Sequence, residues 1–270
     1  MRVQDRFHPA DDIHDEDAVD SWDQAAEEFA HFFADGTEFY HKHIINPSVM
    51  DLLGDIEGKT ILDLACGEGH LARALVEAAG KNVKVLGVDA SKNMIRIAKE
   101  KSREYRDCLA FQQADACDLA GIQDGSFDVA ICNMALMDIK NYRQAIQEIA
   151  RTLKATGVLV FSILHPCFFT PRSEWVKDEE GNIIGWKVDG YHLNLTWKWT
   201  VKSRMTAKTY HFHRTLEDYI SALRECGFVI TDIREPTPSE KLCKTHTRLT
   251  RELRRGGFLL VKSVPLRELR

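Results

Sequence analysis

The residues able to do chemistry sit directly after short apolar runs. Asp63 stands within Thr60–Leu64, and Ala65, Cys66, Gly67, Glu68, Gly69 and His70 follow that run. Gly67 and Gly69 let the backbone turn sharply and let a ligand come closer than any Cβ would allow. Asp89 ends the next apolar run, 20 residues beyond Gly69. A carboxylate there can accept two hydrogen bonds from a ribose diol. Two classes of ribose-bearing cofactor compete for this pattern. A dinucleotide would use Gly67-x-Gly69-x-x-Ala72 to hold a pyrophosphate at a helix N-terminus. A carboxylate at Asp63 would repel that pyrophosphate and suits a cationic ammonium group instead. The cofactor that combines ribose, adenine, ammonium and sulfonium is S-adenosylmethionine.

Such residues need a scaffold that gathers strand ends. Thr60–Leu64, Val83–Val88, Leu109–Gln113, Phe127–Cys132 and Val158–Leu164 read as strands, and Leu71–Ala79, Met94–Arg103 and Asn141–Leu153 as helices between them. Ser91 is placed to cap the second helix and Gly157 to end the third. This alternation predicts parallel βαβ units with right-handed crossovers and helices on both sheet faces. The fully apolar Val158–Leu164 suits a central strand buried on both sides. Ligands of such sheets bind beyond the carboxyl ends of the strands. A helix over Thr215–Cys226 and strands at Gly227–Ile233 and Phe258–Lys262 complete the pattern, giving seven strands.

Upstream, Val19, Trp22, Ala26, Phe29 and Phe33 form one face of a helix, and Pro47–Leu53 forms a second helix ending at Gly54. The chain thus divides into a loose acidic tail (1–17), an N-terminal helical cap (18–56) and an α/β domain (57–270). Residues 168–214 interrupt the rhythm and read as a lid inserted after the fifth strand. Gly181–Asn182 and Asp189–Gly190 mark turns in it, and Asn194–Val201 alternates like a hairpin strand.

In this order and spacing the motifs resemble the class I S-adenosylmethionine-dependent methyltransferases, specifically their small-molecule branch, over about residues 20–265. The hallmarks are Asp63-Leu-Ala-Cys-Gly67-Glu-Gly69, Gly87-Val-Asp89 with Ser91 and Met94 following, Gln113-Ala-Asp115-Ala116, and Ser126-Phe-Asp128 through Asn133-Met134. Arg151-Thr-Leu-Lys154 before Gly157 leads into the fifth strand. The resemblance implies a Rossmann-like seven-stranded, mostly parallel sheet with an antiparallel last strand, and S-adenosyl-L-methionine as cofactor. It implies that Asp63, Ala65 and the Gly67–Gly69 backbone hold the methionine end and that Asp89 takes the ribose hydroxyls. Ala90 would lie near the adenine, Met94 would be a further cofactor contact, Asp115 would accept from the adenine amino group, and Ala116 would pack on the ring. Asn133 and Met134 would line the methionine portion. Members that methylate amide or adenine nitrogens carry an Asn/Asp-Pro-Pro-Tyr/Phe box after the fourth strand. Here that place is Asn133-Met134-Ala135-Leu136, which argues against such substrates.

The implied reaction is methyl transfer to an oxygen, nitrogen or carbon of a small, partly apolar acceptor. His165, directly after the fifth strand, is the candidate general base, since histidine titrates near neutral pH; a turn histidine bonded to backbone is the competing reading. His211 and His213 share one strand face, read as solvated. Tyr191 and His192 are weaker candidates. Four of the five tryptophans, Trp175, Trp186, Trp197 and Trp199, fall in the lid, so it should cover an apolar pocket or a subunit interface. Trp22, Phe29 and Phe33 read as helix packing, and Asp128 as structural. Lys241, Lys244, Arg248, Arg251, Arg254 and Arg255 form a basic run read as a solvated loop. An RNA methyltransferase using that run, an NAD-dependent oxidoreductase and a cofactor-binding regulatory protein are the rival functions.

Composition narrows these choices. The 36 Lys and Arg against 41 Asp and Glu give a net charge of −5, which argues against whole-molecule binding to nucleic acid or anionic lipid. No apolar run approaches the roughly 18 residues of a membrane span, and the acidic N-terminus lacks a signal-peptide core. The seven cysteines show neither Cys-x-x-Cys nor Cys/His pair spacing. That suits free thiols in the cytoplasm, with no metal site.

Overall fold

The computed structural model describes residues 7–9, 12–34, 39–80, 82–200 and 205–266; the side chains of residues 32–34 and 248 lie outside that description. Seven strands build the central sheet: β2 (Thr60–Leu64), β3 (Lys84–Asp89), β4 (Leu109–Gln113), β5 (Phe127–Asn133), β6 (Leu153–Leu164), β11 (Phe228–Arg234) and β12 (Phe258–Pro265). Their order is β11-β12-β6-β5-β2-β3-β4. β2 to β6 pair in parallel, and β12 runs antiparallel to both β6 and β11. Only the last strand is therefore reversed, and β11 runs with the parallel set. This is the Rossmann-like sheet expected from the sequence.

Both faces are covered. Ile146 and Ile149 of α5 (Tyr142–Thr152) and Tyr219 and Leu223 of α6 (Leu216–Glu225) pack on one. On the other lie Val49 and Leu52 of α2 (Asn46–Leu53), Leu71 and Leu75 of α3 (His70–Ala78) and Ile95 and Ala98 of α4 (Lys92–Lys101). Ser91 caps α4 by accepting from Met94 N at 3.0 Å, and Thr215 with Asp218 forms a capping box on α6. Gly157 does not end a helix. α5 stops at Thr152, and Gly157 lies inside β6, where a Cβ would come within 2.9 Å of Lys154 O and of Leu153 Cδ2. Close approach within an irregular strand start, not a left-handed cap, explains that glycine.

Two boundaries differ from the sequence reading. The acidic segment is not wholly a tail: Phe7–Pro9 forms β1, and α1 (Asp15–Ala34) begins with Asp15, Glu16 and Asp17 in its first turn. Acidic side chains are favourable at a helix N-terminus, so acidity there marked a helix start. Residues 1–6 lie outside the described residues. α1 docks on α4 through Ala26, Ala30, Met94 and Ile97, with Trp22 and Phe29 against them. The α1 acid Asp23 accepts from Ser91 Oγ at 2.6 Å and from Asn93 N at 2.9 Å.

The 168–214 segment holds the hairpin β7 (Glu174–Lys177) with β8 (Ile183–Lys187), and β9 (Leu195–Trp199) with β10 (Thr209–Phe212). β1 adds to β9, making a three-stranded sheet that joins the N-terminus to this segment. Val201, at the end of the anticipated hairpin strand, lies outside the described residues. The basic run folds as α7 (Glu240–Thr245) and a 3-10 helix, Thr247–Arg254. Among the described residues, no helix is long and apolar enough to cross a membrane.

Candidate active site

The carboxyl ends of β2 to β5 open into one cavity of about 760 Å³, a size usual for small-molecule sites. Asp63, Ala65, Gly67, Asp89, Ala90, Met94, Asp115, Ala116, Asn133 and Met134 all line it. Trp22 and Phe29 of α1 form one wall, and Leu164, Phe169, Trp199 and Phe258 form another.

Two carboxylates dominate its electrostatics. Asp63 is 1% exposed, and its Oδ2 is buried with no hydrogen-bond partner among the described residues. Burial, and then the neighbouring Asp89, push its carboxyl up to about 7. An unpaired buried carboxylate is costly, and a cationic group placed beside it removes the cost. Asp89 is raised to about 6, chiefly by burial. Its Oδ2 accepts from Gly67 N at 2.8 Å and its Oδ1 from Ser91 N at 2.9 Å. Since Ser91 caps α4, Asp89 is not the cap; it ties the turn after β2 to the end of β3.

The backbone is strained at the ends of two neighbouring strands. Ala65 after β2 and Met134 after β5 have φ of 53° and 55°, a conformation that costs non-glycine residues energy and gathers at functional sites. Ser162 of β6, fully buried, supports the second. Its Oγ donates to Asn133 Oδ1 at 2.6 Å and accepts from Met134 N at 2.9 Å. Sequence reasoning passed over Ser162; the available signal was one hydroxyl in an otherwise apolar strand.

A methyltransferase-domain family model matches residues 55–180, the stretch that carries Asp63, Ala65, Gly67, Asp89, Asp115, Asn133, Met134 and Ser162. The chain is 39% identical to the demethylmenaquinone methyltransferase of Lactococcus lactis over 119 residues, 43% of this chain and 47% of that enzyme. It is 32% identical to the ubiquinone biosynthesis O-methyltransferase of Ralstonia nicotianae over 142 residues, 51% of this chain and 58% of that one. It thus spans about half the length of these curated relatives. The solved S-adenosylmethionine-dependent methyltransferase of Mesorhizobium loti superposes with a TM-score of 0.68 at 28% identity, covering 80% of this chain and 95% of that one. The family model, the relatives and the superposition together support a class I S-adenosylmethionine-dependent methyltransferase.

The cofactor of such enzymes is S-adenosylmethionine, and the residues present suit it: Asp63 lines the cavity with one carboxylate oxygen unpartnered among the described residues, which matches an ammonium group. Two residues expected at the methyltransferase site stand elsewhere. Gly69 does not line the cavity. It begins α3 with φ of 79°, and a Cβ there would meet Phe111 Cζ at 2.6 Å, so Gly69 is required by packing beneath the turn. His165 does not line the cavity either. It is 5% exposed, its Nε2 pairs with Glu235 Oε1 at 2.7 Å, and its Nδ1 accepts from Cys167 N at 3.2 Å. Both ring nitrogens are engaged and burial lowers its pKa. The geometry matches the competing reading, a turn histidine bonded to backbone.

The 211–213 face is buried, not solvated. His211 is 3% exposed, stacks on Trp197 with ring centroids 4.4 Å apart, and directs Nδ1 toward Asp138 Oδ1 at 3.6 Å. Asp138 lines the cavity. Burial holds its carboxyl well above the usual range and drives His211 down to about 3, and at this separation neither atom hydrogen-bonds the other. His213 bonds Tyr191 O, and Tyr191 Oη accepts from Leu216 N, which gives both structural work; His192 lines a second, shallower pocket. Asp128 accepts from Thr60 N and Oγ1 and from Lys154 Nζ, a structural role.

Of the four lid tryptophans only Trp199 lines the cavity; Trp175 and Trp186 pack edge to face 4.7 Å apart. The basic run divides. Arg255 and the exposed Arg251 line the cavity, with Glu252 and Tyr40, whereas the exposed Lys241, Lys244 and Arg254 do not. The side chain of Arg248 lies outside the described residues.

Proposed function

We propose that this protein transfers a methyl group from S-adenosylmethionine to an oxygen, nitrogen or carbon of a small, partly apolar acceptor. The observation that carries the reading is the buried, partnerless Asp63 oxygen beside Asp89 in a cavity whose opposite wall is aromatic. When bound, the cofactor supplies a methyl group activated by the sulfonium. Asp63 and the backbone at Ala65 and Gly67 would hold the ammonium end, and Asp89 the ribose hydroxyls. Ala90, Met94, Asp115 and Ala116 would receive the adenine. Asn133 and Met134, locked by Ser162, would set the edge along which the acceptor approaches. Phe169, Trp199 and Phe258 would exclude water and align the acceptor, the main sources of rate for an in-line displacement.

Two relatives are named for demethylmenaquinone and ubiquinone biosynthesis, which supports an apolar ring acceptor over nucleic acid. The inward turn of Arg255 also removes one charge from any RNA-binding face, although Arg251 stays exposed. A cytoplasmic setting accompanies this proposal, because all seven cysteines are free and Cys66, Cys108 and Cys132 serve as buried apolar side chains. The test is calorimetry with S-adenosylhomocysteine and with NAD, followed by transfer of labelled methyl to phenolic and quinol acceptors. Binding of NAD alone would overturn the reading, and binding of S-adenosylhomocysteine with no acceptor labelled would point to a regulatory protein.

A further inference from the structure

Arg255 is a buried cation with unused donors. It follows the 3-10 helix Thr247–Arg254, and its side chain is 9% exposed. Nη2 donates to Glu252 Oε2 at 3.0 Å, while Nε and Nη1 are buried without a hydrogen-bond partner among the described residues. Its guanidinium lies 4.1 Å from the Phe169 ring centroid, 4.2 Å from that of Trp186 and 5.0 Å from that of Trp175. Rings against a guanidinium offset part of the cost of burying the charge, but they leave its in-plane N–H groups unsatisfied. Those N–H groups are the part a ligand would use.

The charge balance points the same way. Arg251 also lines the cavity, and its Nε donates to Glu252 Oε1 at 3.2 Å. Glu252 is therefore one carboxylate shared by two guanidinium groups, and it also accepts from Tyr40 Oη at 3.2 Å. One positive charge is left over. The cluster lies beside the ends of β6 and β12, because Gly257 O accepts from His165 N and a Cβ at Gly256 would meet Phe168. Asp63, Asp89 and Asp115 line the ends of β2, β3 and β4 on the other side of β5. The cavity is acidic on its cofactor side and basic on the side of the aromatic wall.

We infer that Arg255, assisted by Arg251, is an anion receptor in the acceptor half of the cavity, and that the acceptor carries a carboxylate or phosphate on its apolar body. A planar guanidinium packed against rings is suited to bind either group through paired N–H donors. The inference rests on the methyl-transfer reading, which divides the cavity between cofactor and acceptor. The methionine carboxylate of the cofactor is the other source of such an anion, and the experiment separates the two.

The full chain is titrated calorimetrically with S-adenosylhomocysteine and then, at saturation, with benzoate, phenyl phosphate and benzyl alcohol. At least one anion is expected to bind about tenfold or more tightly than the alcohol, and Arg255→Gln is expected to remove that preference while leaving S-adenosylhomocysteine affinity within about twofold. Equal binding of acid and alcohol by the natural protein, or binding of neither, overturns the inference without touching the methyl-transfer reading. Weakened S-adenosylhomocysteine binding in Arg255→Gln with the anion preference intact assigns the guanidinium to the cofactor and also overturns it. Failure of the natural protein to bind S-adenosylhomocysteine defeats the methyl-transfer reading instead. If Arg255→Gln does not fold, Arg251→Gln and the natural protein's acid–alcohol comparison decide the matter.

Discussion

Asp89 Oδ2 accepts the backbone N–H of Gly67 at 2.8 Å, across the space between the ends of β3 and β2. One carboxylate thereby holds the glycine turn in shape and faces the cavity. Asp89→Ala should lower S-adenosylhomocysteine affinity by more than about tenfold and destabilise the fold by about 1–3 kcal/mol, since Gly67 N and Ser91 N both lose their acceptor. Calorimetry and thermal unfolding measure the two effects separately; unchanged affinity would end the ribose assignment.

Asp63 makes both stability and binding depend on pH. Its folded carboxyl, raised from 3.8 to about 7, holds a proton more tightly than the unfolded chain does. The unliganded protein should therefore lose stability as pH rises from about 4 to about 7, by at most about 4 kcal/mol from this group. An ammonium group beside Asp63 favours its ionised form, so S-adenosylhomocysteine should bind about tenfold or more tightly at pH 8 than at pH 5.5. Asp63→Asn should shrink both dependences and leave the part that comes from Asp89, itself raised to about 6. An affinity that does not vary over this range would exclude titration of Asp63 at the site.

His165→Ala should cost about 1–3 kcal/mol through the loss of its bonds to Glu235 and Cys167 N. The pH–rate profile should keep its shape, because the ring lies outside the cavity. A flattened profile would restore His165 as a base.

Asp138 and His211 are the titratable pair on the acceptor side. Asp138→Asn removes the buried titratable carboxyl that lines the cavity and should slow transfer to a hydroxyl acceptor by about a hundredfold, the usual scale of a lost acid–base group. S-adenosylhomocysteine affinity should hold. Steady-state kinetics on the variant tests this, and an unchanged kcat would leave the pair with packing alone.

Ser162→Ala removes the hydroxyl that fixes Asn133 and Met134 and leaves Met134 N with only Ser162 O, 2.9 Å away. A cost of about 1–2 kcal/mol is expected, together with a lower kcat, read by thermal unfolding and kinetics on one preparation.

Most of the cofactor side was legible from residue order. Strand-end positions alternate with helices at fixed spacing, so Asp63, Gly67, Asp89, Asp115 and Asn133 are predictable as neighbours once the parallel sheet is recognised. The acceptor side was not. His165 follows a strand as Asn133 does, yet its ring turns away from the cavity to Glu235, 70 residues later. The face of His211 and His213 has the polarity of a solvated strand and is buried only because Trp197, Trp199 and Asp138 pack around it. Arg255 belongs to a run that reads as a surface loop, and the rings of Phe169, Trp175 and Trp186, 69 to 86 residues earlier, bury it.

The sequence by itself determined the sheet, the glycine turn and the acidic rim, because each depends on local periodicity and on short distances along the chain. Which histidine sits on backbone, which acid is buried beside a histidine, and which arginine is left with open donors were decided only in the folded chain. Burial and the choice of a partner are set by segments far apart in sequence, and no local pattern encodes them.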